Sequence, residues 1–120
     1  MISKYFKQSE ITCKCGCGFD DISQELISLM DGAREELNRP IYVTSGCRCK
    51  KHNESKLVRG TKDSSHIKGL AMDVVALEHE IEEMVAVFKK YFHRIGIDKK
   101  RHFIHVDVDK DKPNAIWNYK

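Results

Sequence analysis

Residues 64–73 read Ser64-Ser65-His66-Ile67-Lys68-Gly69-Leu70-Ala71-Met72-Asp73, and they combine two potential metal ligands with a residue suited to a turn. Seven positions separate His66 from Asp73, which is about 10 Å along a helix and more than about 20 Å along a strand. Neither element alone can bring both side chains to one ion, so the chain must double back between them. Gly69 can make that turn without a steric cost. We therefore expect His66 on a loop or strand end, with Asp73 on the following strand and facing it.

A second histidine lies in the strand-like run Phe103-Ile104-His105-Val106-Asp107. Side chains alternate along a strand, so His105 and Asp107 share one face and the aliphatic residues share the other. Two imidazoles and one carboxylate form a complete protein ligand set for a catalytic zinc, which keeps its fourth position for water. The sequence thus predicts Zn²⁺ on His66, Asp73 and His105. The alternative for Asp73 is a strand-end cap or a salt bridge, since a carboxylate in an apolar run needs a cation or several donors.

Apolar spacing outlines the remaining elements. Ser23 is a good helix N-cap, and apolar residues from Leu26 to Leu37 then recur at helical spacing until Pro40 approaches. The other expected elements are strands at 41–44 and 70–75, a second helix between Leu77 and Phe92, a short helix at 51–57, and a hairpin of 95–97 with 102–109.

The length and the charge of the chain narrow the number of domains and the classes of partner that we expect. A chain of 120 residues predicts a single catalytic domain, 1–120. The net charge of +3 comes from scattered lysines and arginines, whereas nucleic-acid binders concentrate basic charge on one face. The first residues contain no signal-peptide core, and no stretch approaches membrane-spanning length. We therefore expect a monomer that is synthesised in the cytoplasm and binds neither nucleic acid nor membrane.

Five cysteines form two tight groups, Cys13-Lys14-Cys15-Gly16-Cys17 and Cys47-Arg48-Cys49. This is neither the C-x-x-C pair of a zinc ribbon nor an even disulfide set. Three interpretations stay open: free or packing thiols, a disulfide between the groups once the protein leaves the cell, or a second zinc site if the groups meet in the fold.

Four segments in this order resemble the D-alanyl-D-alanine carboxypeptidase family of zinc peptidases, which includes phage endolysins and bacterial cell-wall endopeptidases. They are the S-x-H-x-x-G-x-A-x-D motif at 64–73, Ser45-Gly46-Cys47-Arg48, the run 49–53, and Phe103-Ile104-His105-Val106-Asp107. The resemblance implies an α+β fold, in which a small antiparallel sheet packs with two main helices, and a hedgehog-like metal site. It also implies that Arg48 lies near the substrate carbonyl or carboxylate, that the substrate is a peptidoglycan stem peptide, and that the enzyme is a carboxypeptidase or an endolysin-type endopeptidase. An endolysin would reach the cell wall through a separate membrane pore, and a phage source is expected.

At the position expected for the general base, this sequence differs from the family pattern. Many members carry an acid three residues before the last histidine ligand, where this chain has His102. Asp107 is the nearest acid that could take the proton. Alternatively, Asp107 orients a ligand and His102, after a strand distortion, takes the proton, or an acid from elsewhere in the chain does so. Two other interpretations are a non-catalytic zinc domain that binds wall peptides or a protein, and a cysteine nucleophile at Cys47 or Cys49.

Overall fold

The structure of the chain, a computed structural model, describes residues 2–49, 53 and 64–119. The helices are α1 (Gln8–Ile11), α2 (Gln24–Leu37) and α3 (Ile81–Phe88). The strands are β1 (Val43–Ser45), β2 (Ala71–Val75), β3 (Arg94–Asp98), β4 (Phe103–Asp107) and β5 (Ala115–Asn118). The fold class is α+β, as predicted. Apart from Asn53, the short helix predicted at 51–57 lies outside the described residues.

The five strands form one mixed sheet in the order β1-β2-β4-β3-β5. Strands β1 to β4 pair antiparallel, as the resemblance implied, and β3 and β4 form the predicted hairpin. Strand β5 differs, because it pairs with β3 in parallel. The chain leaves β4 at Asp107, which lies opposite Arg94 at the start of β3, and Ala115 then pairs with Arg94. A connection that returns to the start of β3 forces β5 to run in the same direction.

Helix α2 begins and ends where the sequence predicts. The hydroxyl of Ser23 accepts a hydrogen bond from the amide of Leu26 at 3.2 Å, which satisfies one of the unpaired donors of the first turn. Asn38 ends the helix in the left-handed conformation, with φ of 55°, shortly before Pro40. The buried residues of α2 recur at helical spacing and join the hydrophobic core.

The sheet has one apolar face and one polar face at its centre. On the apolar face, side chains from three strands are buried in the core together with those of α2 and α3: Met72, Val74, Ile95, Ile97, Ile104 and Val106. The alternate positions of β2 and β4 place Asp73, His105 and Asp107 on the opposite face. None of the helices in the described ranges combines the length and the apolar character that a membrane span requires.

Candidate metal centre

Pairing of β2 with β4 places Asp73 directly opposite His105. Nδ1 of His105 lies 2.9 Å from Oδ1 of Asp73, and Nε2 of His66 lies 3.2 Å from the same oxygen. One potential ligand atom from each side chain lies within 4.8 Å of the other two. Strand pairing therefore brings together residues that are 32 positions apart, and a turn adds the third.

The turn that delivers His66 depends on Gly69. The amide of Gly69 donates to the carbonyl of His66 at 3.2 Å, and Gly69 has φ of +71°. A Cβ at this position would overlap the carbonyl oxygen of Asp21, so both backbone conformation and space require glycine. The predicted chain reversal between His66 and Asp73 is confirmed.

In both imidazoles, the ring nitrogen that does not face Asp73 has a hydrogen-bond partner. Nδ1 of His66 lies 2.7 Å from the carbonyl oxygen of Gly46, which can only accept, so Nδ1 carries a proton and Nε2 is the ring nitrogen that is left for Asp73 or a metal ion. Nε2 of His105 lies 2.7 Å from Oδ2 of Asp107, and donation to that carboxylate leaves Nδ1 to face Asp73. Partners of this kind fix the tautomer and orientation of metal-binding histidines. The donor set therefore fits Zn²⁺.

The electrostatics of the cluster favour a cation between the three side chains. Burial alone would raise the pKa of Asp73, but the neighbouring His66 and His105 hold it well below its usual range. Burial disfavours the charged form of His105, yet hydrogen bonds to Asp107 and Asp73 raise its pKa above the ordinary histidine value. Either a proton on Nδ1 of His105 or a metal ion can supply the positive charge, so the two compete for one nitrogen.

Asp107 lies on the side of the His105 ring that faces away from Asp73. Its side chain is fully buried, Oδ1 accepts from Nε of Arg94 at 2.8 Å and from the amide of Asp109 at 3.1 Å, and Oδ2 faces His105. Burial raises the pKa of Asp107, but His105, then the amide of Asp109 and then Arg94 outweigh it and lower that pKa. These contacts fit the alternative in which Asp107 orients a ligand.

His102 lies apart from the cluster. It is exposed, has φ of 60°, and accepts a hydrogen bond on its carbonyl from the amide of Ala76 at 2.8 Å. It lies in the turn that precedes β4 rather than in the strand itself. His102 is not among the described residues that line the cleft over the cluster.

Arg48 reaches the cleft from the loop after β1. Its Nη2 donates to Oγ of Ser64 at 3.3 Å, whereas its buried Nε has no hydrogen-bond partner among the described residues. Burial lowers the pKa of Arg48, and the carboxylate of Asp73 opposes that shift. A half-buried guanidinium that lines the cleft beside the cluster is suited to bind an oxygen of a ligand.

The cleft over the cluster has a volume of about 580 Å³. Its described lining is Thr44, Arg48, Ser64, Ser65, His66, Asp73, Arg94, Arg101, Phe103, His105, Asp107, Lys112, Trp117 and Tyr119. The sequence did not point to Arg94, Trp117 or Tyr119 as site residues. Trp117 lies with its ring centroid 5.6 Å from that of His105, which follows from the parallel pairing of β5. No local motif signals that pairing.

The cysteines of the second group lie outside this cleft. Cys47 is buried in the core, and burial, followed by the charges of Asp20 and Asp21, raises the pKa of its thiol to about 11. A thiol with a raised pKa is a poor nucleophile. Neither Cys47 nor Cys49 is among the described residues that line the cleft. A substrate bound in the cleft would therefore not contact either thiol, so the structure does not support a cysteine nucleophile.

Comparison with known proteins adds one positive finding. A family model described as Peptidase M15 matches residues 4–107, a span that contains His66, Asp73, His105 and Arg48. No curated protein matches the chain at a significant level.

Proposed function

The chain belongs to the Peptidase M15 family, and from this premise we propose that it is a zinc-dependent metallopeptidase that hydrolyses peptide bonds in peptidoglycan stem peptides. One observation carries the proposal most directly. Nδ1 of His66 faces the carbonyl of Gly46, and Nε2 of His105 faces Asp107. The other ring nitrogens, Nε2 of His66 and Nδ1 of His105, therefore converge on Asp73. A zinc ion in such a set supplies a water nucleophile near neutral pH and polarises the scissile carbonyl.

Arg48 would bind the substrate beside this set. Its guanidinium lines the cleft, which suits it to steady the developing oxyanion or to grip a substrate carboxylate. Asp107 would act as a positioning residue, because its two oxygens hold His105 on one side and Arg94 on the other. His102 stays a proposed proton acceptor only if its exposed side chain moves toward the cleft.

The shape and chemistry of the cleft support a short peptide as substrate. Arg48 and Arg101 provide positively charged surface, and Trp117 and Tyr119 provide aromatic surface in the same lining. Stem peptides carry free carboxylates and small apolar side chains, which match those two surfaces. Both a D-alanyl-D-alanine carboxypeptidase and an endolysin-type endopeptidase fit this description. We favour an endolysin of phage origin that acts on the cell wall as a monomer, without binding nucleic acid or membrane.

The test is digestion of purified peptidoglycan by the zinc-loaded protein, with and without a chelator. Release of single D-alanine residues would identify a carboxypeptidase, and release of cross-bridge fragments would identify an endopeptidase. The matched variant is Asp73→Asn, which keeps the shape of the side chain and removes the ligand charge. A zinc-loaded protein that releases no peptide product in any of these digests would overturn the proposal.

A non-catalytic zinc domain is the second candidate, and one observation favours it. The carboxylates in the described lining are those of Asp73 and Asp107, and each faces an imidazole, so neither is positioned as an unengaged base. A binding domain would retain cell-wall peptides without cleaving them. Equilibrium binding of a stem peptide that is recovered intact, together with a full zinc content, would support this function over hydrolysis.

A further inference from the structure

The two cysteine groups meet in the fold. Sγ of Cys13 lies 3.4 Å from Sγ of Cys15, and Sγ of Cys15 lies 3.5 Å from Sγ of Cys49. With Cys17, these sulfurs form a set in which all ligand atoms lie within 4.8 Å of one another. The fifth cysteine, Cys47, is buried in the core instead. The five cysteines therefore divide into four whose thiols converge and one, Cys47, whose thiol packs in the core.

We propose that Cys13, Cys15, Cys17 and Cys49 bind a second zinc ion with a structural role. A tetrahedral zinc with four thiolate ligands at about 2.3 Å places neighbouring sulfurs about 3.8 Å apart. The sulfur distances of 3.4 and 3.5 Å are close to that edge length, and they are far longer than the roughly 2.05 Å of a disulfide bond. Four-cysteine sets without an open position are typical of structural zinc sites.

The first cysteine group owes its shape to two glycines. In an extended strand, alternate cysteines would lie on one side but about 7 Å apart, which is too far for one ion. Gly16 and Gly18 have φ of +87° and +88°, and the amide of Cys13 donates to the carbonyl of Phe19 at 2.8 Å. The loop is therefore closed. A turn in which the amide of Gly16 donates to the carbonyl of Cys13 at 3.3 Å brings Cys15 close to Cys13, and the left-handed Gly16 then turns the chain between Cys15 and Cys17.

A backbone donor also supports a thiolate in this cluster. The amide of Cys49 donates to Sγ of Cys13 at 3.3 Å. Amide donors to sulfur stabilise metal-bound thiolates and hold them in place.

The cluster would fix the segment that builds one wall of the peptidase site. Cys49 follows Arg48 directly, and the carbonyl of Gly46 orients His66. The amide of Cys47 donates to the carbonyl of Ile11 at 2.7 Å, so the two segments are already joined beside the cysteines. A metal bridge across 36 positions would hold residues 46–49 against the amino-terminal loop. This proposal does not depend on the proposed hydrolytic function.

The experiment measures zinc per chain in protein purified with a non-thiol reductant. We expect two zinc ions in the wild-type chain, one in Cys15→Ser, and one in Asp73→Asn. Cys47→Ala is the matched control and should retain two. After cobalt substitution, the thiolate-to-cobalt charge-transfer absorption should persist in Asp73→Asn and disappear in Cys15→Ser.

A measurement on the wild-type chain covers the case in which Cys15→Ser does not fold. We expect the cluster thiols to be protected from maleimide in the zinc-loaded protein and to react once zinc is removed by a chelator. One zinc per chain, with thiol reactivity that is unchanged by the chelator, would overturn the proposal. A mass deficit of two hydrogens per cysteine pair in the reduced preparation would overturn it as well, because it would identify a disulfide.

Discussion

The His105 ring bridges two carboxylates: its Nε2 lies 2.7 Å from Oδ2 of Asp107, and its Nδ1 lies 2.9 Å from Oδ1 of Asp73. The two contacts have different consequences. Asp73 shares its oxygen with His66 and completes the proposed ligand set, whereas Asp107 is held by Arg94 and by the amide of Asp109. A residue held in this way is suited to fix the orientation of the ring rather than to exchange protons with a ligand in the cleft.

Asp107→Asn should weaken zinc binding at the His66 site by about 10- to 100-fold, because loss of a carboxylate partner leaves the orientation and basicity of His105 less well defined. The measurement is competitive zinc titration, combined with peptidoglycan digestion at saturating zinc. Activity should recover in part when zinc is saturating. Full loss of turnover with unchanged zinc affinity would instead identify Asp107 as the proton acceptor.

Asp109→Asn is the matched control for this variant. Asp109 is also buried, and it bonds to Ser65 and Lys68 rather than to an imidazole. Its substitution should lower stability while the zinc affinity of the His66 site stays unchanged. A similar loss of zinc affinity in both variants would mean that general destabilisation, and not the Asp107 contact, is responsible.

Arg48→Ala should lower kcat/KM for peptide hydrolysis by about 100-fold or more, as expected for removal of a donor that stabilises developing charge. Zinc content should stay unchanged, because Arg48 does not belong to either proposed ligand set. Arg39→Ala is the control, since Arg39 forms ion pairs with Glu80 and Glu83 and does not line the cleft. Equal activity in the two variants would exclude a substrate role for Arg48.

Local patterns in the sequence predict much of this fold and of the metal cluster. The distance between His66 and Asp73 requires a reversal that Gly69 can make, and strand alternation places His105 and Asp107 on one face. Both inferences depend on short-range geometry, which a sequence carries directly. The same reasoning predicts helix α2 from its N-cap and its apolar spacing.

Long-range contacts are what the sequence does not reveal. The parallel pairing of β5 brings Trp117 close to His105, and the convergence of Cys15 with Cys49 joins residues 34 positions apart. Strand alternation correctly predicts the face of the sheet on which Asp107 lies. It does not predict the contact of Asp107 with Arg94, because Arg94 belongs to a neighbouring strand. Each of these contacts depends on how strands and loops pack, and no local pattern encodes that packing.

Gly69→Ala should strongly destabilise the fold. A left-handed conformation costs a residue with a Cβ roughly 1–2 kcal/mol, and the new Cβ would also overlap the carbonyl of Asp21. Gly18→Ala is the matched control, because Gly18 has φ of +88° and open space around its Cβ position. Urea unfolding of both variants, measured in chelator, should give a clearly larger loss for Gly69→Ala. Equal losses would show that backbone strain alone matters at Gly69.

Removal of zinc should lower the melting temperature of the wild-type chain, because a bound metal stabilises only the folded state. At free zinc 100-fold above the dissociation constant, one site contributes about 2.7 kcal/mol, which corresponds to a shift of several degrees for a domain of this size. Calorimetry with and without a chelator measures the shift, and a chelator presaturated with zinc is the control.

In Asp73→Asn, the decrease in melting temperature caused by the chelator should shrink but not vanish, because the cysteine cluster would still release its zinc. In Cys15→Ser, the chelator should cause only the decrease in melting temperature that comes from the His66 site. The decreases in the two variants should add to approximately the wild-type decrease if the sites act independently. Identical melting curves for the wild-type chain with and without the chelator would mean that neither cluster is a preformed metal site.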